Sequence, residues 1–125
     1  MAELIFKEEV YAIAGAAMEV YYTLGVGFVE PVYQGALAIE FNSRDIRYVR
    51  EPVIEVAYKG VPLNKTFRPD FVCYDEVILE LKCQSRLSLI DQAQIMNYLK
   101  ITNKHVGLLM NFGARPKLEW KRYVI

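Results

Sequence analysis

The stretch FRPDFVCYDEVILELKC, Phe67 to Cys83, carries two apolar runs joined by a short polar turn, which commits this part of the chain to a β-hairpin. Into that apolar hairpin the sequence sets Asp70, Glu80 and Lys82. Successive strand residues point to opposite faces, so Ile78, Glu80 and Lys82 share one face while Val77, Leu79, Leu81 and Cys83 share the other. Whether Asp70 joins the charged face depends on register. A two-residue loop at Asp75-Glu76 opposes Phe71 to Glu80 and Asp70 to Leu81, mixing charge with apolar surface on both faces. A three-residue loop, Tyr74 to Glu76, opposes Cys73 to Val77, Val72 to Ile78, Phe71 to Leu79 and Asp70 to Glu80, and keeps the charges together. The pattern favours the second register.

Two opposed carboxylates destabilise a sheet unless a cation lies between them. A divalent ion is the simplest one to supply, and two carboxylates, a backbone carbonyl and water form the oxygen-rich set that suits Mg²⁺ or Mn²⁺. Taken singly, Asp70 also reads as an exposed charge behind a proline, and Glu80 and Lys82 as the solvated face of an edge strand. Matched on one face, the three point to chemistry.

Around the hairpin, 125 residues predict one domain with a core of its own. Apolar positions from Phe6 to Tyr22 fit a helix ended by Gly25 and Gly27. A second helix starts at Glu30-Pro31 and runs to about Asn42 or Arg44. Val53–Tyr58 reads as a strand, Lys59-Gly60 as a turn, Leu63–Tyr74 as a second strand and Val77–Cys83 as a third. Ser88 opens a helix over Leu89–Ile101, and HVGLLMNF and EWKRYVI read as two final strands. The expected architecture is a mixed α/β domain, a mixed sheet flanked by helices in the order ααβββαββ.

The formal net charge is zero, which alone argues against a strongly basic nucleic-acid binder, but the charge is unevenly spread. Residues 1–80 hold 7 Lys/Arg against 13 Asp/Glu, and residues 81–125 hold 8 against 2. Arg68, Arg86, Lys100, Lys104, Arg115, Lys117, Lys121 and Arg122 are candidate phosphate contacts. The amino-terminal MAELIFKEEV has acidic residues where a leader has basic ones, and Val10–Met18 is too short to span a bilayer. A cytoplasmic protein with no membrane association is therefore expected. Cys73, Cys83 and the lone His105 suit neither a disulfide framework nor a zinc site.

The hairpin resembles the signature of the PD-(D/E)xK nuclease superfamily, an Asp after Pro on one strand and Glu-x-Lys on the next, matched here by Pro69-Asp70 and Glu80-Leu81-Lys82. Gln94 and Tyr98, spaced as QxxxY, resemble the helix motif of the branch related to the RecB nuclease domain. Positions i and i+4 share a helix face, so both can point at one site. Over nearly the whole chain the sequence is similar to the GxxExxY family of that superfamily, with Gly27, Glu30 and Tyr33 as the naming residues. Tyr21 stands where many members carry a histidine. The resemblance implies a restriction-endonuclease-like core and a metal-dependent nuclease. It also implies Mg²⁺ or Mn²⁺ held by Asp70, Glu80, the Leu81 carbonyl and Glu30, with catalytic roles for Asp70, Glu80, Lys82, Gln94 and Tyr98. The expected partner is nucleic acid, DNA foremost, with a homodimer also open. The alternative is a nuclease-like domain that binds nucleic acid or a protein without cutting.

Overall fold

The computed structural model describes residues 5–125; residues 1–4, part of the stretch read above for a leader, lie outside it. Helices α1 (Lys7–Leu24) and α2 (Glu30–Ser43) come first. On α1 the buried residues Val10, Ile13, Ala14, Ala17, Val20 and Tyr21 recur every three or four positions, forming one stripe whose small residues let α2 approach closely. Pro31 in the first turn of α2 sacrifices no hydrogen bond, because the first amides of a helix have no internal partner.

The strands are β1 (Tyr48–Arg50), β2 (Ile54–Tyr58), β3 (Val61–Phe67), β4 (Phe71–Cys73), β5 (Val77–Lys82), β6 (Val106–Asn111) and β7 (Glu119–Val124), with α3 (Leu89–Thr102) between β5 and β6. Five of them form a sheet in the order β1-β4-β5-β6-β7, and β2 and β3 form a separate two-stranded hairpin. Because α3 crosses over between them, β5 and β6 run parallel and end side by side. Open α/β sheets characteristically bind ligands at such carboxyl ends.

Each sheet face has its own core. Val77, Leu79, Leu81, Val106, Leu108 and Met110 pack under α1 and α2. Ile78 and Leu109, on the other face, pack with Ile95 and Leu99 of α3 and with Phe67, Val72 and Tyr123. Ile78, Glu80 and Lys82 alternate with the first set, so the charged positions lie on the face that α3 covers.

The expected class, a mixed sheet flanked by helices, is what the chain forms, but it holds two more strands than ααβββαββ. The strand expected over Leu63–Tyr74 divides at 68–70 into β3 and β4, which belong to different sheets. Pro69 has no N–H to give a ladder, which suits the break. The short β1 was not anticipated; it lines the edge of β4 and exposes Val49 and Arg50, so it shows no clear alternation. Tyr21, at the position where many members of the resembling family carry a histidine, is buried and donates its hydroxyl to Ala114 O at 2.6 Å. No helix among the described residues is long and apolar enough to cross a membrane.

The β6–β7 connection lies close against the segment that leaves β5. A Cβ added to Gly113 would meet Gln84 N and O at 2.6 Å, and backbone cannot yield as a side chain can. Gly113→Ala is therefore expected to destabilise the fold by about 2 kcal/mol, a drop of several degrees in a thermal melt. An unchanged melting temperature would contradict this close approach.

Candidate active site

The hairpin adopts the register with the three-residue loop: Cys73 opposes Val77, Val72 opposes Ile78 and Phe71 opposes Leu79. One step further, Asp70 and Glu80 meet at the end of the pair. The Asp70 amide donates to Glu80 Oε1 at 3.1 Å, and the Leu81 amide donates to Asp70 Oδ2 at 2.8 Å. The structure thus links Leu81 to this group through its amide. Glu30 reaches the same place from the first turn of α2, close enough to Asp70 to share a hydrogen bond.

Other residues hold these side chains in place. Gln34, buried one turn after Glu30, donates to Asp70 Oδ1 at 2.8 Å and accepts from Arg50 Nε at 2.8 Å. Lys82 Nζ lies 3.8 Å from Asp91 Oδ1, both side chains being largely buried. Asp91 is itself fixed by the capping box of α3: Ser88 and Asp91 exchange bonds across the first turn, and Gln84 donates to Asp91 Oδ2. Burial opposes ionisation of Asp91, but its bonds from Ser88 and Gln84 and the charge of Lys82 outweigh that and hold the carboxyl below its ordinary value.

The loop ahead of Glu30 is clamped by Tyr33, whose hydroxyl donates to Gly25 O at 2.5 Å and accepts from Phe28 N at 3.3 Å. Its ring stacks on Phe112 with centroids 4.7 Å apart, and Gly27 at φ 108° makes a bend that a side chain would strain. The residues spaced as GxxExxY thus form a local device in which a glycine bend and a tyrosine clamp deliver the carboxylate. Tyr33→Phe is expected to leave two polar groups unpaired and cost about 1 kcal/mol. Faster amide exchange at Phe28 would register the loss, and an unchanged rate would count against the clamp.

Electrostatically the cluster is strained. Burial, then the charge of Asp70, pushes Glu80 up to about 8, only partly offset by the Asp70 amide and Lys82. Asp70 is raised mainly by burial, against its bonds from Leu81 and Gln34, and Glu30 by burial and then by Asp70. All three carboxyls are therefore harder to ionise than usual, where a cation would offset their charge. That all-oxygen donor set fits a hard divalent ion. Among the described residues, no three acidic, cysteine or histidine side chains form a ready-made metal cage, and hydrogen bonds occupy both Asp70 oxygens.

Of the sequence candidates, Glu30, Asp70, Glu80 and Lys82 come together. Gln94 and Tyr98 lie on α3, on the correct side of the sheet, yet none of the polar contacts above involves either. Gln94 is exposed, and Tyr98 stacks on Phe67 with centroids 3.7 Å apart. Sequence reasoning missed Gln34, Asp91 and Gln84. One signal was available for Asp91: Ser88-x-x-Asp91 spells a capping pair.

Among curated proteins, none matches the chain in sequence. Among solved structures, the protein SSO0001 superposes with a TM-score of 0.56 at 16% identity, over 95% of this chain and 59% of that one. This chain therefore spans less than two thirds of SSO0001. The alkaline exonuclease LHK-Exo from Laribacter hongkongensis superposes with a TM-score of 0.47 at 10% identity, over 99% of this chain and 72% of that one. The strand order is consistent with a restriction-endonuclease-like core. The sequence model of the PD-(D/E)XK nuclease superfamily matches residues 7–123, nearly the whole chain, and the chain belongs to that superfamily.

Proposed function

We propose that the protein is a metal-dependent phosphodiesterase that hydrolyses nucleic acid, DNA foremost, within the GxxExxY family and the RecB-like branch. The observation that carries this reading is the meeting of Asp70 and Glu80 at the end of β4 and β5, with Lys82 two residues on from Glu80. Asp70 and Glu80, with Glu30 and the Leu81 carbonyl, would hold Mg²⁺ or Mn²⁺. When bound, that ion supplies polarisation of the phosphate and a lowered pKa for the attacking water.

The chain's own residues do the rest. Gln34 orients Asp70, and the Leu81 amide fixes its second oxygen. Lys82, anchored by Asp91, provides positive charge to offset the charge that builds on the phosphate in the transition state. Tyr98, stacked on Phe67, and Gln94 support the site from α3 or contact substrate.

Lys82→Ala separates this reading from a domain that binds without cutting. It should lower cutting of DNA in Mn²⁺ by on the order of 10²–10³-fold while calorimetric Mn²⁺ binding persists. Equal cutting by the variant and wild type would remove Lys82 from the chemistry.

A further inference from the structure

A trough leads away from the acidic cluster along the carboxyl ends of β5 and β6. It begins as a cavity of about 360 Å³ between Gly27-Phe28 on one side and Cys83-Ser85 on the other, next to Glu30 and Lys82 in the chain. It continues as a cavity of about 530 Å³ lined by Arg86, Arg115, Lys117 and Trp120. A third, about 300 Å³, lies beside Leu89 and Lys121. Ser85 and Arg115 line both the first and second, and Glu119 and Trp120 line both the second and third, so the three lie side by side, the third reached around β7 on the face that α3 covers.

Its charge is one-sided. Arg86, Arg115, Lys117 and Lys121 are exposed cations along it. The acid in its wall, Glu119, is committed elsewhere: its Oε1 accepts from Leu87 N at 2.9 Å and from Asn111 Nδ2 at 3.0 Å. Apolar surface accompanies the cations. Trp120 sits where two cavities join, and Leu89 and Ile90, 81% and 80% exposed, stand near the outer end.

We infer that this trough binds single-stranded nucleic acid, with phosphates along its cations and a base stacked on Trp120, and leads the strand to the carboxylates. The inference rests on the phosphodiesterase reading for the site at its inner end. A cationic groove with an aromatic stacking surface is the pattern that holds unpaired strands, since every base offers a face to stack. In a duplex those faces are covered, and reading it calls for a helix or ribbon that enters a groove. The trough's walls are mainly loops and strand ends, with Met18 of α1 and Leu89 and Gln92 at the start of α3 beside them, and no helix or ribbon among the described residues projects from it.

Trp120 is the single tryptophan, so its emission reports on the trough directly. The experiment titrates wild-type protein, in EDTA to prevent cutting, with labelled oligo-dT and oligo-rU of about 12 nucleotides, and with a blunt duplex of the same length. Anisotropy gives binding, and quenching of Trp120 gives stacking. Saturable quenching is expected, with the better single strand bound at least about tenfold tighter than the duplex; the dT and rU arms identify the preferred sugar. Arg115→Ala with Lys117→Ala, both at exposed positions, should weaken binding about tenfold and reduce the salt slope by about 1.4, two single-strand phosphate contacts' worth.

Oligonucleotide bound with Trp120 emission unmoved would overturn the inference, as would duplex bound as tightly as single strand, wild-type affinity in the double variant, or no binding. The two readings fail separately. Intact cutting in Mn²⁺ with silent Trp120 emission sinks the trough alone; quenching by single strand without any cutting upholds the trough and sinks the phosphodiesterase.

Discussion

Glu80→Gln is expected to abolish cutting, by on the order of 10³-fold or more, and at the same time to make the protein more stable above pH 8. The two effects have one origin. Glu80 is pushed up to about 8 from an ordinary 4.5, first by burial and then by Asp70. Because the folded value lies above the unfolded one, this group favours folding below pH about 4.5, and the contribution is lost as pH rises through about 8. Above that, an ionised Glu80 opposes folding of the metal-free protein. Glutamine mimics the protonated acid, so the variant escapes the loss while lacking a metal ligand. Melts of wild type and variant should nearly coincide at pH 4 and separate by on the order of 5–10 °C at pH 9 in EDTA. A variant less stable than wild type at pH 9 would show that Glu80 is not the strained carboxyl described.

Adding Mn²⁺ should reverse the sign of that strain. At pH 7 the cluster still holds a proton, because Glu80 is pushed up to about 8. An ion bound in the cluster must displace it, about one proton per ion at pH 7. Calorimetry in two buffers of different ionisation enthalpy measures the number. Saturation at about 100 times Kd adds about 2.7 kcal/mol of stability, enough to raise Tm by several degrees. Asp70→Asn should lose most of both effects. Binding without proton release would mean the ion sits elsewhere.

The charged core of the site was readable because it contradicts its surroundings. Asp70, Glu80 and Lys82 interrupt an apolar hairpin, and only one register keeps them on a common face, the one the chain adopts. Glu30 was readable for a local reason too, a carboxylate in the first turn of a helix opened by proline. The residues that hold these side chains were not. Gln34 lies 36 positions from Asp70, and a glutamine on a helix has no sequence mark that separates a buried tie from a solvated face. The tie made by Tyr21 is hidden for the same reason: its partner, Ala114 O, is 93 positions away.

The strand count failed differently. Leu63–Tyr74 reads as one strand, yet the chain changes sheets inside it, because β3 pairs with β2 while β4 lies between β1 and β5. Pro69 marked the break, but β-prone residues on both sides of it, Thr66-Phe67 and Phe71-Val72, hid it. That break also leaves Asp70 just ahead of β4, where its amide is free to donate to Glu80 rather than to a neighbouring strand.

The most direct measurement is cutting of a labelled single-stranded oligonucleotide by wild type and by Asp70→Asn, side by side, in Mn²⁺ and then in EDTA. A phosphodiesterase built on this hairpin predicts products from wild type in Mn²⁺ alone and none from the variant, with both proteins equally folded by circular dichroism. Cutting that survives EDTA, equal cutting by Asp70→Asn, or no cutting by wild type in Mn²⁺ would contradict it.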